Sequence, residues 1–404
     1  MNEVIKSFEE NEVLPFGFPT EAHKIIKVIG VGGGGGNAVK NMYREGIRDV
    51  VFALANTDSQ ALAESDIPIK LQLGKGLGAG NDPEVARQAA EDSIETIKTM
   101  FHDETEMVFI TAGMGGGTGT GAAPVIARCA REEGMLTIGI VTIPFKFEMR
   151  PKIQQAIKGV KEMAKYVDAL LVINNERLID IYAEQKITDG FKKGDETLTT
   201  ATKSIAELIT VRGIINLDFR DVRKILKDGG VAIMSSGEAA GENRVEQAIQ
   251  AALNSPLLYN NDIYRAKKIL FNIYQSTDEE HQLVLNEMNE IRHFMDKFED
   301  ENIEVIWGLA NDSSLGEKVK ITVLATGFGM SNIPLTDEQS DGADDSGIDV
   351  IKGFYDDSLG KKTPYIFVLE DEDMDNDALI NALAESPTNL RGATEISGIK
   401  ALRG

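Results

Sequence analysis

The first half of the chain alternates between short apolar runs and segments whose apolar residues recur at helical spacing. Five apolar runs predict buried β-strands, at residues 24–29, 51–55, 107–110, 136–142 and 168–173. Between the last two, Ile153, Ile157, Val160 and Ala164 fall on one face of a predicted helix at 153–166. Strands separated by helices build a parallel sheet covered on both faces. The pattern therefore predicts an α/β fold with a Rossmann-like parallel sheet.

The longest helical pattern occupies residues 196–212 and stops at Gly213. We interpret it as a long central helix that joins two domains. Beyond it, apolar runs at 230–235, 268–274, 304–309 and 318–326 predict strands, and the periodicity of 242–253 and 282–298 predicts helices. These elements predict a second, smaller α/β domain.

Both ends of the chain are polar. Residues 331–404 hold 16 acidic and 6 basic side chains, which predicts a self-repelling, disordered tail with one apolar stretch at 363–369. Residues 1–23 predict a flexible extension. The predicted divisions are 1–23, 24–195, 196–222, 223–330 and 331–404, the third being the central helix with the loop after it.

Composition narrows the function. A net charge of −23 argues against direct nucleic-acid binding. The single cysteine, Cys129, cannot form an internal disulfide, which fits a reducing cytoplasm. The chain has no signal peptide pattern and no apolar run of about 18 residues, so no direct membrane insertion is predicted. The four histidines are scattered, and no metal-ligand cluster is predicted.

The glycine-rich stretch GMGGGTGTGAAP, residues 113–124, lies between a predicted strand and a predicted helix. Glycine lets the backbone approach a ligand closely, and a helix N-terminus turns several N–H groups toward one point. This arrangement predicts an anion site for a phosphate chain. No Gly-Lys-Ser/Thr follows, so the stretch is not a P-loop. The alternative is a glycine-rich surface turn.

Two further glycine-rich loops lie earlier in the chain, and the first of them follows a predicted strand. GVGGGGGNAV, residues 30–39, matches G-x-G-x-x-G, and Asp58 lies near the position of a ribose-binding acid, as in a dinucleotide site. Two loops on neighbouring strands instead favour a nucleoside triphosphate gripped from both sides. The third loop, 73–83, also fits a helix entry with Asn81 or Asp82 as cap and Pro83 at the first helical position.

The stretch GMGGGTGTGAAP resembles the signature of the tubulin/FtsZ family of GTPases, and the resemblance extends over residues 24–330. It implies the tubulin/FtsZ fold, GTP and GDP as ligands, and Mg²⁺ on the phosphates. It also implies GTP hydrolysis coupled to head-to-tail self-assembly in a cytoplasmic division ring at mid-cell. Division-machinery proteins are implied as partners, through the C-terminal tail.

The resemblance also assigns residues to the nucleotide. The nucleotide contacts it implies are Gly33, Gly34, Gly35, Asn37, Asn56, Gly80, Gly113, Met114, Gly115, Gly116, Gly117, Thr118, Gly119, Thr120 and Pro144. Among them, Asn37 resembles a contact of the guanine or the ribose. For the base and ribose it implies Glu148, Asn175, Phe191 and Asp195. Where the family has an arginine, Lys152 takes the aligned place, or Arg150 substitutes for it.

Two acids in NLDFRDV, Asp218 and Asp221, are the candidates to orient an attacking water. Taken alone, they equally fit a helix N-cap with an acid in the first turn. A central helix of 17 residues spans about 25 Å, so this loop cannot reach a nucleotide at the helix's other end. The resemblance resolves the difficulty, because it implies that Asn216, Asp218 and Asp221 complete the nucleotide site of the next subunit.

Three other functions fit parts of the sequence. An NAD-dependent oxidoreductase would use the first glycine loop and Asp58. A non-hydrolysing nucleotide-binding scaffold would use Asp218 and Asp221 as caps only. A tubulin-like filament that positions DNA would need an adaptor, since the chain is acidic.

Overall fold

A computed structural model describes residues 24–47, 49–182, 187–210, 213–215, 217–253, 263–298 and 303–328. For residues 177, 180–182, 187–196 and 265 it describes the backbone alone. All of these residues fall in the unit Met1–Asn332. The predicted N-terminal extension, the predicted acidic tail and its apolar stretch 363–369 lie outside the described residues.

Six parallel strands form the first part of the sheet, in the order β3-β2-β1-β4-β5-β6. They are β1 (Ile26–Val31), β2 (Val50–Asn56), β3 (Ile69–Gln72), β4 (Met107–Gly113), β5 (Leu136–Ile143) and β6 (Ala169–Asn174). The parallel sheet predicted from the alternating pattern is confirmed. The pattern missed β3 because this short edge strand alternates exposed Lys70 and Gln72 with a single buried leucine.

Seven helices accompany these strands. They are α1 (Gly32–Arg44), α2 (Ser59–Ala63), α3 (Pro83–Glu91), α4 (Ile94–Thr99), α5 (Gly117–Glu132), α6 (Arg150–Ala164) and α7 (Asn175–Tyr182). The helix that begins after the third glycine loop, α3, ends at Glu91, and α4 follows as a separate helix. At the break, Ser93 Oγ donates to the Ala89 carbonyl at 2.8 Å, and such side-chain bonds compete with the helical ladder.

The predicted central helix is confirmed as α8 (Ile187–Thr210), but it begins nine residues earlier than its apolar pattern. Residues 187–195 contain two glycines and mostly polar side chains, so they show no apolar face. At 24 residues the helix rises about 36 Å. Leu198, Ile205 and Leu208 are buried in an apolar cluster that also contains Phe109 and Leu324, so α8 packs against both halves of the sheet.

The remaining elements extend the sheet. They are α9 (Phe219–Leu226), β7 (Gly230–Ala239), α10 (Arg244–Leu253), β8 (Lys268–Gln275), α11 (Met288–Met295), β9 (Glu304–Asn311) and β10 (Val319–Phe328). The order continues β6-β7-β10-β8-β9, with β10 antiparallel to β7 and β8. Only Ala169↔Gly230 and Leu170↔Val231 pair β6 with β7, so the two halves meet along a narrow seam.

The helix predicted at 282–298 is shorter in the structure. Its first part forms a 3-10 turn, Leu285–Glu287, because the Glu287 carboxylate accepts from the Val284 N–H at 2.8 Å and also pairs with Arg244. Within the predicted range 282–298, only the residues of α11 are α-helical. None of the helices in the described ranges combines the length and the apolar character needed to cross a bilayer.

Candidate nucleotide site

The first two glycine loops lie side by side at the carboxyl edge of the parallel strands. Val31, the last residue of β1, pairs with Ala112 of β4, and Gly113 pairs with Thr142 of β5. Helix α1 begins directly after β1, at Gly32, and α5 begins at Gly117, with three residues between it and the end of β4. Ligands of open α/β sheets bind at this edge. The first two glycine loops therefore share the edge of the sheet where a ligand is expected.

The predicted extent of the glycine loops needs correction, because several glycines lie inside helices. A Cβ on Gly35 would lie 2.1 Å from the Thr111 oxygen, and a Cβ on Gly119 would lie 2.4 Å from the Gly113 oxygen. These glycines let α1 and α5 pack directly on β4. Helix α5 contains Pro124, which the sequence interpretation placed at the end of the loop.

Other glycines of the same loops face open space. A Cβ on Gly33 would meet no atom of the described residues within 4 Å, and Gly33, Gly34 and Asn37 are exposed on one face of α1. Within the described part of the chain, no side chain caps the N-terminus of α1 or α5. Two helix N-termini with uncapped N–H groups, beside exposed glycines, fit the phosphate chain of a nucleotide.

Threonine hydroxyls hold the two loops in place. Thr57 and Thr118 share a hydrogen bond of 2.7 Å between their Oγ1 atoms, which links the end of β2 to α5. The buried Thr120 Oγ1 accepts from the Gly115 N–H at 2.8 Å, and the Met114 N–H donates to the Thr142 oxygen at 2.8 Å. These bonds shape the backbone of the signature loop.

The third glycine loop packs against the start of α5. A Cβ on Gly117 would lie 2.9 Å from Ala79 Cβ, and Gly80 has a φ of +56°, which favours glycine. Asp82 Oδ1 accepts from the Glu84 N–H at 2.9 Å, with Pro83 at the first helical position. The predicted helix entry is confirmed, with Asp82 as the cap.

Gln155 of α6 is a positioning residue that sequence reasoning missed. Its Nε2 donates to the carbonyl oxygens of Gly115 at 3.0 Å, Gly116 at 3.2 Å and Asn81 at 3.3 Å. It thereby ties the signature loop to the third glycine loop. No local pattern marks this glutamine, because its partners are 39 to 74 residues away in the chain.

Glu148 and Lys152 form an ion pair at the start of α6, where Lys152 Nζ donates to Glu148 Oε2 at 2.5 Å. Glu148 Oε1 accepts from the Phe145 N–H at 2.9 Å. Arg150, the first residue of α6, is exposed. Pro144 is buried and contacts the signature loop, since a Cβ on Gly115 would lie 2.7 Å from its Cγ.

Asn175 has a buried amide oxygen without a hydrogen-bond partner among the described residues. It begins α7 directly after β6, at the same sheet edge. An amide oxygen accepts N–H donors, and guanine presents such donors on its edge. Leaving this acceptor buried and unpaired costs free energy, so the residue fits a base-contacting role. Phe191 and Asp195 lie on α8, where only the backbone is described.

Asp58, the acid of the dinucleotide alternative, is a helix cap. Its Oδ1 accepts from the N–H groups of Gln60 at 2.9 Å and Ala61 at 3.3 Å, at the start of α2. The neighbouring Asn56 is buried, and its Oδ1 accepts from the Asp58 N–H at 3.2 Å. The carboxylate expected on a ribose therefore serves the local backbone.

Asp218 and Asp221 form a reciprocal capping box at the start of α9. The Asp218 N–H donates to Asp221 Oδ2, and the Asp221 N–H donates to Asp218 Oδ1, each at 3.0 Å. The capping interpretation of these acids is confirmed. Asn216 lies outside the described residues.

The helix that begins at the capping box ends at the opposite edge of the sheet from the glycine loops, and its eight residues rise only about 12 Å. Beyond the C-terminus of α9, Asp228 pairs with Arg131 in the last turn of α5 at 3.2 Å. Helix α5 has 16 residues and rises about 24 Å from its glycine-rich start. The acids and the glycine loops of one chain therefore do not share a site.

Comparisons with known families agree with this architecture. Residues 25–183 match the GTPase domain of the Tubulin/FtsZ family, and residues 230–329 match the C-terminal domain of the FtsZ family. The cell division protein FtsZ of Porphyromonas gingivalis is 50% identical, over 98% of this chain and 91% of that protein. That of Coxiella burnetii is 44% identical, over 75% and 79%. None of these matches supports an oxidoreductase or a non-hydrolysing scaffold.

Solved structures give the same fold. The empty FtsZ dimer of M. jannaschii superposes with a TM-score of 0.70 at 37% identity, over 79% of this chain and 94% of that chain. The GTPγS-bound protofilament of CetZ2 from Haloferax volcanii superposes with a TM-score of 0.62 at 20% identity, over 75% and 92%. The second likeness shows the fold alone.

Proposed function

Because this chain belongs to the FtsZ family and is a GTP-dependent, filament-forming GTPase of cell division, we propose that two chains build each of its hydrolytic sites. One chain supplies the nucleotide cradle at the carboxyl edge of its parallel strands. The next chain supplies Asp218 and Asp221 from the opposite edge. The observation that carries this proposal is the separation of the two edges within one chain.

The phosphates bind on the exposed backbone of the cradle. Gly33 and Gly34 on α1, together with Gly116, Gly117 and Thr118 at the start of α5, present N–H groups to the anion, and Asn37 lies on the same face of α1. The described residues include no group of three acids, histidines or cysteines that could hold a metal. We therefore assign Mg²⁺ to the phosphate oxygens and to water, where it would neutralise charge.

The guanine base lies on the α7 side of the cradle in this proposal. Asn175 Oδ1 accepts an N–H of the base, which satisfies its buried oxygen. Phe191 covers the ring, and Asp195 accepts from the base. Glu148 contacts the ribose, with Lys152 holding its carboxylate in position.

Hydrolysis is a displacement at the γ-phosphorus. A water oxygen bonds to phosphorus, and the bond to the bridging oxygen breaks with its electron pair passing to the β-phosphate. The products are GDP, inorganic phosphate and one proton. The neighbour's Asp218 and Asp221, with Asn216, orient the water and accept its hydrogen bonds. Hydrolysis therefore requires assembly.

The wider role follows from the same assignment. We propose that filaments assemble in the cytoplasm into a ring at mid-cell, and that division proteins bind the tail 331–404. We also retain the divisions 1–23, 24–195, 196–222, 223–330 and 331–404, with GTP bound by the second segment.

The test is phosphate release from GTP as protein concentration rises, with light scattering followed in the same cuvette. We expect both signals to rise together above a threshold concentration, because a single chain lacks the acids at its own cradle. Constant phosphate release per subunit from high dilution upward would mean that each chain is catalytically complete, and the two-chain site would be abandoned.

A further inference from the structure

Four basic residues lie on or at the end of α9, the helix that begins at the two acids. Two of them contact other side chains of the same chain, and a third lies far from the acids. Arg223 lies over the Phe219 ring, with 6.0 Å between the guanidinium carbon and the ring centroid. Lys224 pairs with Glu304. Lys227 is exposed at the far end of α9. The fourth, Arg220, lies between Asp218 and Asp221 in the first turn.

Arg220 is exposed, and its guanidinium makes no hydrogen bond or ion pair with any described residue. The adjacent acids do not pair with it, since their carboxylates accept backbone N–H groups in the capping box. A cation at the second position of a helix also lies at the positive end of the helix dipole, where it is disfavoured. The single chain thus shows no gain from an arginine here.

The nucleotide cradle, in contrast, has few basic side chains. Its two main loops, residues 30–37 and 113–120, contain neither lysine nor arginine, and the third glycine loop contributes a single exposed lysine, Lys75. Lys152 beside them is paired with Glu148. In other phosphoryl-transfer enzymes a lysine or a guanidinium compensates the charge that develops on the γ-phosphate oxygens. The cradle therefore leaves room for a cation from outside the chain.

The surface around Arg220 favours burial in a contact. Ile214 and Ile215, in the loop before α9, are 58% and 38% exposed. Backbone bonds to Leu309 of β9 hold this loop, with Ile214 N to the Leu309 oxygen at 2.7 Å and Leu309 N to the Ile215 oxygen at 3.1 Å. This loop is a fixed apolar surface that precedes the helix carrying the guanidinium. Covering both in one contact would exclude water, which strengthens the interaction of the guanidinium with phosphate.

We propose that Arg220 is a catalytic residue in trans, whose guanidinium contacts the γ-phosphate oxygens of GTP bound in the neighbouring chain. This inference rests on the two-chain site proposed above. The guanidinium stabilises the charge of the transition state and takes no proton, so the balance of the hydrolysis is unchanged. Its planar fork can bind two oxygens at once, which a lysine cannot do.

The experiment measures phosphate release per polymerised subunit, with polymer mass determined by sedimentation. We compare the wild type, Arg220→Ala, Arg220→Lys and the matched control Lys227→Ala, which removes an exposed cation from the other end of the same helix. We expect Arg220→Ala to lose about 100-fold in rate per polymerised subunit. Arg220→Lys should lose about tenfold, because it keeps charge without the fork. Lys227→Ala should match the wild type.

Two further measurements separate chemistry from contact. GTP affinity at high dilution and the assembly threshold with a non-hydrolysable GTP analogue should be unchanged in Arg220→Ala. GDP with aluminium fluoride, which mimics the planar γ-phosphoryl group, should stabilise wild-type polymer but not the Arg220→Ala polymer. If the rate falls only in proportion to polymer mass, Arg220 is a contact residue, and the inference is wrong.

A parallel measurement on Asp221→Asn distinguishes a failure of the Arg220 inference from a failure of the two-chain site. If Asp221→Asn is inactive while Arg220→Ala hydrolyses GTP at the wild-type rate per polymerised subunit, only the role of Arg220 fails. If Asp221→Asn hydrolyses GTP normally in polymer, the two-chain site itself fails.

Discussion

The two edges of the sheet differ in what they are made of. The cradle edge consists of backbone and glycine, with buried supports such as Thr120 and Pro144. The acid edge consists of exposed charged side chains on one short helix, α9, and those acids also satisfy that helix's N-terminus. A backbone site binds phosphate without a charged side chain of its own. The cradle therefore suits binding, while the groups suited to chemistry lie where no nucleotide of the same chain can reach.

The two edges also differ in how they tolerate substitutions. Glycines at the cradle range from Gly35, which has no space for a side chain, to Gly33, whose Cβ would meet no described atom, so neighbouring glycines differ in their function. At the acid edge, each carboxylate is a local cap, and the two-chain proposal gives it a second function in the reaction of the neighbouring chain. Substitutions that separate those functions test the comparison most directly.

The largest effect is expected for Asp221→Asn. The amide oxygen still accepts from the Asp218 N–H, so the capping box and the stability of α9 are kept. The loss of the carboxylate should lower phosphate release in polymer about 1,000-fold, or about 4 kcal/mol in the barrier. Phosphate release and thermal unfolding are measured together. Unchanged hydrolysis would show that Asp221 is a cap and nothing more.

The second prediction compares the effect on stability of substituting two glycines of α1. A Cβ at Gly35 would lie 2.1 Å from the Thr111 oxygen, so Gly35→Ala should cost about 3 kcal/mol of unfolding free energy. Gly33→Ala meets no described atom within 4 Å and should keep or slightly raise stability.

The measurements for this pair are urea unfolding and GTP affinity at high dilution. Gly33→Ala should bind GTP more weakly although it is fully folded, because the added methyl group occupies the phosphate side of the helix. If Gly33→Ala binds GTP as the wild type does, the phosphate does not lie on this face of α1.

A smaller effect is expected for Asn175→Ala. It removes a buried acceptor that has no partner among the described residues, so the free protein should lose little stability. GTP affinity should fall about tenfold, or about 1.4 kcal/mol, because the base loses one acceptor. Titrating the mutant and the wild type with GTP, and with inosine triphosphate for comparison, measures this loss of affinity. Equal affinity in mutant and wild type for GTP would remove Asn175 from the base site.

The smallest effect is expected for Gln155→Ala. Three carbonyl oxygens lose one shared donor, so the unfolding free energy should fall by about 1 kcal/mol. GTP affinity should fall by a few fold through loosening of the signature loop. Hydrogen exchange of residues 113–118 is the direct measurement, and Gln154→Ala, exposed one position away, is the matched control. Equal protection in the two variants would contradict the positioning role.

The sequence by itself determined the parallel strands, the central helix and the location of the glycine loops at the strand ends. Burial on both faces leaves apolar runs, a helix face leaves a 3.6-residue period, and a strand-to-helix turn near an anion leaves glycines. Each of these signals is local. The acids Asp218 and Asp221 were local too, but their pattern fits a cap and a catalytic pair equally well.

Only the tertiary structure decided how distant segments meet. It joined the two predicted domains in one sheet through the seam of β6 and β7, and it began α1 and α5 inside the glycine stretches. It also revealed the Gln155 contacts and the separation of cradle and acids. Contacts between residues tens of positions apart leave no periodic pattern in the chain, because each partner, taken alone, has nothing in its neighbouring sequence that marks the contact.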